Sequence, residues 1–322
     1  MVGKRRVIVT GAFLVSFAVL MAATSRTLYQ VIGWRFAQGL VTPGVFAVAV
    51  AYLHDRWDGA RAATTAAAYV TGTVVGGFVG RLVAGQAAAH WGWRASFVAV
   101  GAMSLACALI LVLTLPEEGL RAEGKGRSDA RKGRWSHLMT RALLGTYAAG
   151  FCVLFAQVAM FTYVTFHLAA PPFVLSTAAL GWLFAVYLAG AVITPISGRW
   201  INTHGYRATL GIAMALGVAG SLLTLGHLLL EVIAGLALVS SGVFVAQAAI
   251  NGYIGVAARA DRGLAVGMYA TCYYIGGSVG GALPALFWST GGWRASVALV
   301  IAVQIATALF GWTFWRPARA LA

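Results

Sequence analysis

Apolar and polar positions along this chain come in blocks. Runs of 18 to 28 mostly apolar residues alternate with short polar segments, at roughly 7–24, 29–53, 64–89, 93–115, 142–168, 174–201, 206–229, 232–258, 263–289 and 293–315. A bilayer core takes about 20 apolar residues per helical crossing. In lipid the backbone is satisfied only in helices or closed barrels, and these runs lack the strict alternation of barrel strands. The pattern predicts an all-α membrane protein with ten transmembrane helices. Met1 to Arg6 followed by an apolar run superficially matches a secretory signal peptide, but the run is long and further spans follow at once, so it reads as the first membrane helix.

One stretch occurs twice. Gly76-Gly77-Phe78-Val79-Gly80, leading to Gly92-Trp93-Arg94-Ala95-Ser96, returns as Gly276-Gly277-Ser278-Val279-Gly280, leading to Gly292-Trp293-Arg294-Ala295-Ser296. The offset is 200 without a gap, and 12 of the 32 positions from Tyr69 to Val100 are identical to their counterparts. So long a period means a duplicated half, not a solenoid array.

Charge adds orientation. The net charge of +15 sits in short loops and one central segment, with no basic-aromatic face on a polar element, so nucleic acid is not expected as a partner. With the N-terminus cytoplasmic, 18 of the 23 basic residues fall in inner loops and three (Arg26, Arg94, Arg294) in outer ones, leaving Arg35 and Arg81 within spans. Positive residues stay inside, so both termini are expected in the cytoplasm of a bacterial inner-membrane protein. Residues 116–141 are charged and glycine-containing, and read as a solvated linker. They divide the chain into an incomplete bundle of four spans (1–115) and a six-helix bundle (142–322). Cys107, Cys152 and Cys272 all lie in apolar runs and read as small buried hydrophobes.

The halves are unequal in a way that can be placed. The second carries Gly198-Arg199-Trp200-Ile201-Asn202-Thr203-His204-Gly205-Tyr206-Arg207 between its second and third spans, and Gly3-Lys4-Arg5-Arg6 matches the tail of that loop. The second half has 63 residues (142–204) before Gly205, the first only two before Gly3. About 60 residues, two helices, are therefore expected to be lacking from the front, by comparison with the duplicate.

These residues resemble the major facilitator superfamily, in particular its bacterial drug- and sugar-efflux permeases. The Gly198–Arg207 loop is similar to the family's G-x-x-x-D-x-x-G-R-R loop, with Asn202 where Asp is usual. Arg35-Phe36-Ala37-Gln38-Gly39 is similar to its R-x-x-Q-G motif, and Gly72, Gly76, Gly80 and Gly85 to the glycine series of its antiporter helix. Arg81 stands where that helix normally has Pro, which leaves the direction of transport open. The resemblance implies ten of the usual twelve helices, as parallel bundles related about the membrane normal. It implies a monomer that moves a small molecule by alternating access at a midplane cavity between the halves, with proton-coupled efflux as antiport. No cofactor or metal is expected.

Candidate residues follow from polarity within spans. Arg35 lies about a turn and a half into its span, where an unpartnered charge costs several kcal/mol; by the resemblance it handles protons or a substrate anion, or else it snorkels outward along Trp34. Arg81 is deeper, and all eight carboxylates fall in loops or at span ends. It therefore meets backbone carbonyls, a cavity, a substrate anion, or a carboxylate on further helices. Gln247 and Asn251 share a helix face at i, i+4 and bind substrate or glue helices together; Gln38, Gln157, His167, Tyr273 and Tyr274 are weaker cases. Gly39, Gly76, Gly80, Gly276 and Gly280 allow close helix approach. Gly198, Asn202, Gly205 and Arg207 form the gating-loop set. Pro43, Pro195 and Pro284 kink their spans or simply bend them. Zincin, Gly-Lys-Ser/Thr and Cys-x-x-Cys patterns are lacking, as is a carboxylate pair in the spans, so enzyme activity is not expected. The expectation is a secondary transporter; the alternative is a truncated, non-transporting membrane remnant or scaffold.

Overall fold

A computed structural model describes residues 3–56, 59–116, 139–258 and 262–315. Among them every regular element is helical. In order these are α1 (Lys4–Ala23), α2 (Leu28–Arg56), α3 (Gly59–Trp91), α4 (Trp93–Thr114), α5 (Arg141–Ala169) and α6 (Thr177–Leu183). A 3₁₀ turn, Phe184–Val186, leads to α7 (Tyr187–Leu223), then α8 (Leu229–Ala257), α9 (Arg262–Ala282) and α10 (Pro284–Phe314). Six helical stretches among the described residues are long and apolar enough to cross a membrane: α1, α4, α5, Ser197–Leu223 of α7, α8 and α10. The other apolar runs read from the sequence are also helical, in α2, α3, α6 with the start of α7, and α9. Most of the charged linker, 117–138, lies outside the described residues.

Two boundaries differ from the sequence reading. The 198–207 segment, read as a loop, is helical except for Gly205, which alone turns the chain at φ 77°, ψ 168°. Only glycine takes that conformation without strain. Pro284 does not kink a span from within. It opens α10, where its missing N–H leaves no helical bond unmade, and the non-helical turn falls later, at Gly292 (φ 58°, ψ −142°).

The chain divides into two units, Met1–Ser128 with Ser176–Phe184, and Asp129–Leu175 with Ala185–Ala322. In the first, α1 packs on α2 and α4, and α3 packs on α4 and the short α6. Small residues set these contacts: Gly11 meets Val45, Gly101 meets Leu20, and Gly85 lies against Gly181. The carbonyls closing α4 are taken by Arg5, whose Nε donates to Leu115 O (2.8 Å) and Nη2 to Val112 O (3.0 Å). A cation at a helix C-terminus is the favourable placement.

In the second unit α5 is the buried centre, touching α8, α9 and α10, while α7 pairs with α8 along its length. The α7–α8 seam is backbone on backbone: a Cβ at Gly220 would lie 2.5 Å from Gly235 O, and one at Gly242 2.5 Å from Ala213 O. Thr140 caps α5 by accepting from Leu143 N, as Ser176 in the first unit caps α6 by accepting from Ala179 N. At the start of α8, Glu231 Oε2 accepts from Leu228 N at 3.1 Å, a carboxylate placed at the positive end of a helix. Indole donors close the unit's polar sites. Trp315 Nε1 donates to Thr146 Oγ1 and Trp293 Nε1 to Thr224 O, each at 3.0 Å.

Candidate functional site

In the first unit two guanidinium groups sit on α2 and α3, each held by its own helix and an aromatic ring. Arg35 and Gln38 lie one turn apart on α2, and Arg35 Nη1 donates to Gln38 Oε1 at 2.8 Å. The Arg35 guanidinium also lies 4.9 Å from the ring centroid of Phe97 on α4. A cation over an aromatic face is attracted by the ring's quadrupole, and more strongly away from water. On α3, Arg81 Nη1 donates to Gly77 O, one turn back, at 3.0 Å. Its guanidinium lies 4.9 Å from the centroid of Phe184, just past α6. The short helix is fixed there by glycine contact, by Gln86 Nε2 donating to Ala178 O (3.3 Å), and by Phe78 against Trp182. Gly39 and Gly76 meet nothing within 4 Å, and Gly80 meets only Met103 Cε at 3.9 Å.

The second unit places Gln247 of α8 against α9, with Nε2 donating to the Tyr273 hydroxyl at 3.1 Å. Tyr269 and Tyr274 flank that phenol, at 5.6 and 5.7 Å between ring centroids. Tyr187 stands against Phe161 (4.6 Å) and Phe244 (6.2 Å). Asn251 is exposed one turn beyond Gln247. Gln247 is thus tied to a neighbouring helix and Asn251 is free to meet solvent or solute. Gly276 and Gly280 press on α5 at Phe151 and Phe155. His167 stacks on Trp293, 5.1 Å between centroids and 8° between planes.

The gating-loop residues scatter. Gly198 and Asn202 are exposed on α7, Gly205 turns it, and the Arg207 guanidinium lies 3.8 Å from the Trp312 ring of α10. Sequence reasoning missed Phe97, Phe184, Tyr187 and Tyr269. The available signal was an aromatic ring within reach of a cation or amide in a neighbouring span, which needs the packing to be known.

A family model for the Major Facilitator Superfamily matches residues 1–173 and 168–322. The chain belongs to the Major Facilitator Superfamily. Among its relatives, the MFS-type transporter YybF of Bacillus subtilis (strain 168) is 27% identical over 299 residues, covering 92% of this chain and 74% of that one. The inner membrane transport protein YnfM of Escherichia coli (strain K12) is 29% identical over 314 residues, 96% of this chain and 75% of the other. The crystal structure of the human organic anion transporter MFSD10 (TETRAN) matches at a TM-score of 0.67 and 19% identity, over 96% of this chain and 77% of that one, a likeness of fold. This facilitator is therefore a multi-pass membrane transport protein that carries a small-molecule substrate, and it is not an enzyme.

Proposed function

We propose that this facilitator is a secondary active transporter that exports a small organic anion from the bacterial cytoplasm in exchange for protons. The observation that carries the reading is the pair of guanidinium groups on α2 and α3, Arg35 set by Gln38 and Phe97, and Arg81 set by Gly77 and Phe184. In the ten-crossing reading both lie within spans, where a charge is retained if it lines a solute path. The organic-anion activity in the name of the fold neighbour MFSD10 supports the same substrate class. Gln247 and Asn251 supply neutral hydrogen-bonding groups in the second unit. Ten crossings with both ends cytoplasmic are supported by the 18-to-3 bias of basic residues, and the inner membrane by the name of YnfM. Proton coupling, outward direction and a monomeric state rest on the resemblance to the efflux permeases.

The test is flux in proteoliposomes under an imposed pH gradient, with panels of organic anions, sugars and cationic drugs. Gradient-dependent movement of an anion is expected. Movement of cations alone would overturn the substrate class, and no flux with any panel would favour the non-transporting remnant.

A further inference from the structure

Within the second unit, two levels of polar and aromatic groups stand one bilayer core apart. On α8, Glu231 holds the first turn, and Gly252, 21 residues later, lies against the Tyr206 ring of α7. At 1.5 Å per residue that interval is about 30 Å, the thickness of a hydrocarbon core. Helix α10 repeats it: Trp293, bonded to Thr224 O, and Trp312 are 19 residues apart, roughly 28 Å. At the Gly252 level the rings gather. Tyr206 stands 5.8 Å from Tyr253, Tyr253 stacks on Trp315 at 4.3 Å, and Trp312 lies one turn before Trp315. Tyr and Trp collected in this way mark a membrane–water boundary.

Arg207, just past the Gly205 turn, sits at this boundary with its guanidinium 3.8 Å from the Trp312 ring. The ring attracts the cation through its face but accepts nothing from the N–H groups, which lie in the guanidinium plane. Nε is buried without a hydrogen-bond partner, and among the described residues the two terminal nitrogens have no acceptor either. Glu231, the one carboxylate of this unit among the described residues, is at the far level. A guanidinium drawn out of bulk water needs an acceptor. The surface leading away from it is apolar: Ile305, Leu309 and Trp312 follow at i, i+4 and i+7 on α10, all exposed, with Trp312 at 65%. Such a stripe on a membrane helix faces acyl chains.

We propose that Arg207 and Trp312 form a binding site for an anionic phospholipid. The guanidinium takes the headgroup phosphate, for which its planar fork of donors is suited, and the Ile305–Leu309–Trp312 stripe takes an acyl chain. A headgroup carrying an ammonium or choline would set a second cation beside Arg207, with no carboxylate among the described residues of this level to offset it. A net-negative headgroup such as phosphatidylglycerol brings no such cation. The site requires only that the second unit cross the bilayer, and is independent of substrate and direction of transport.

The test titrates the detergent-purified full chain with phosphatidylglycerol and counts bound lipid by native mass spectrometry. The wild type should retain one phosphatidylglycerol more tightly than phosphatidylcholine. Arg207→Gln should bind it roughly tenfold more weakly, the loss of a charge-assisted hydrogen bond, and Trp312→Leu a few-fold more weakly. Arg199→Gln removes the same charge from exposed surface of the same helix and should leave the tight binding unchanged. Equal losses in Arg199→Gln and Arg207→Gln would reduce the effect to diffuse charge attraction and overturn the proposal. Displacement of the lipid by inorganic phosphate would overturn it too, by making the ligand a free anion. Without any variant, the wild type should unfold at a higher temperature in phosphatidylglycerol nanodiscs than in phosphatidylcholine ones. Equal unfolding temperatures would contradict the site.

Discussion

The same glycine pattern is packed in one half and open in the other. Gly276 and Gly280 let α9 reach the backbone of α5, whereas Gly76 on α3 meets nothing within 4 Å and Gly80 only the tip of Met103. The turn that follows repeats more faithfully: Gly92 and Gly292 both take positive φ (84° and 58°) ahead of a Trp-Arg-Ala-Ser helix start. Even there the surroundings diverge, for Trp93 is 45% exposed and Trp293 7%. Local geometry is carried by the duplicated residues themselves. Packing is carried by partners, and a glycine stripe encodes only the capacity for close approach.

That comparison can be broken at its strongest point first. Gly280→Leu puts a large side chain into the backbone of Phe155, which cannot swing aside, so the variant should lose about 3 kcal/mol or more of stability. Thermal unfolding in detergent reads this directly, and a shift no larger than that of Gly211→Leu, at a position with nothing within 4 Å, would mean the α5–α9 seam is not close-packed.

The turn glycines sharpen the other side of the comparison. A Cβ at Gly92 or Gly292 meets no atom within 4 Å, so alanine there costs backbone strain alone. Each substitution should cost roughly 1–3 kcal/mol, and by similar amounts. Clearly unequal shifts in unfolding temperature would show that the two turns are not structural equivalents.

The smallest effect concerns a single hydrogen bond. Trp315 stacks on Tyr253 at 4.3 Å and donates to Thr146 Oγ1, which itself donates to Ala142 O at 2.7 Å. Trp315→Phe keeps a ring for the stack and removes the donor, at a cost of about 1 kcal/mol. Its counterpart at the offset of 200 is Leu115, whose carbonyl is held by Arg5 instead. Leu115→Phe should therefore leave that bond in place, and equal destabilisation of the two variants would contradict the assignment.

Much of the fold was legible because lipid leaves the backbone few options. Apolar runs had to be helices, and the Gly-Trp-Arg-Ala-Ser copy located the duplicated half without any contact being known. The ends were less legible. Gly205 compresses to one residue a turn that polarity spread over 198–207, because Asn202 and Thr203 sit on exposed helix surface as readily as in a loop. At the candidate site, Arg35 and Gln38 are near in sequence, and their hydrogen bond follows from helix periodicity. Phe97 and Phe184, which face the two guanidinium groups, lie 62 and 103 residues away from them. Nothing in a chain with 16 phenylalanines marks those two out before the helices are packed.

The most direct measurement compares wild-type and Arg81→Ala proteins reconstituted in equal, monodisperse amounts, reading pH-gradient-driven movement of an organic anion that the wild type transports. The account predicts saturable flux for the wild type and vesicle background for the variant, with unchanged expression and elution. Arg81→Ala moving that anion at the wild-type rate would remove this guanidinium from the solute path and contradict the account.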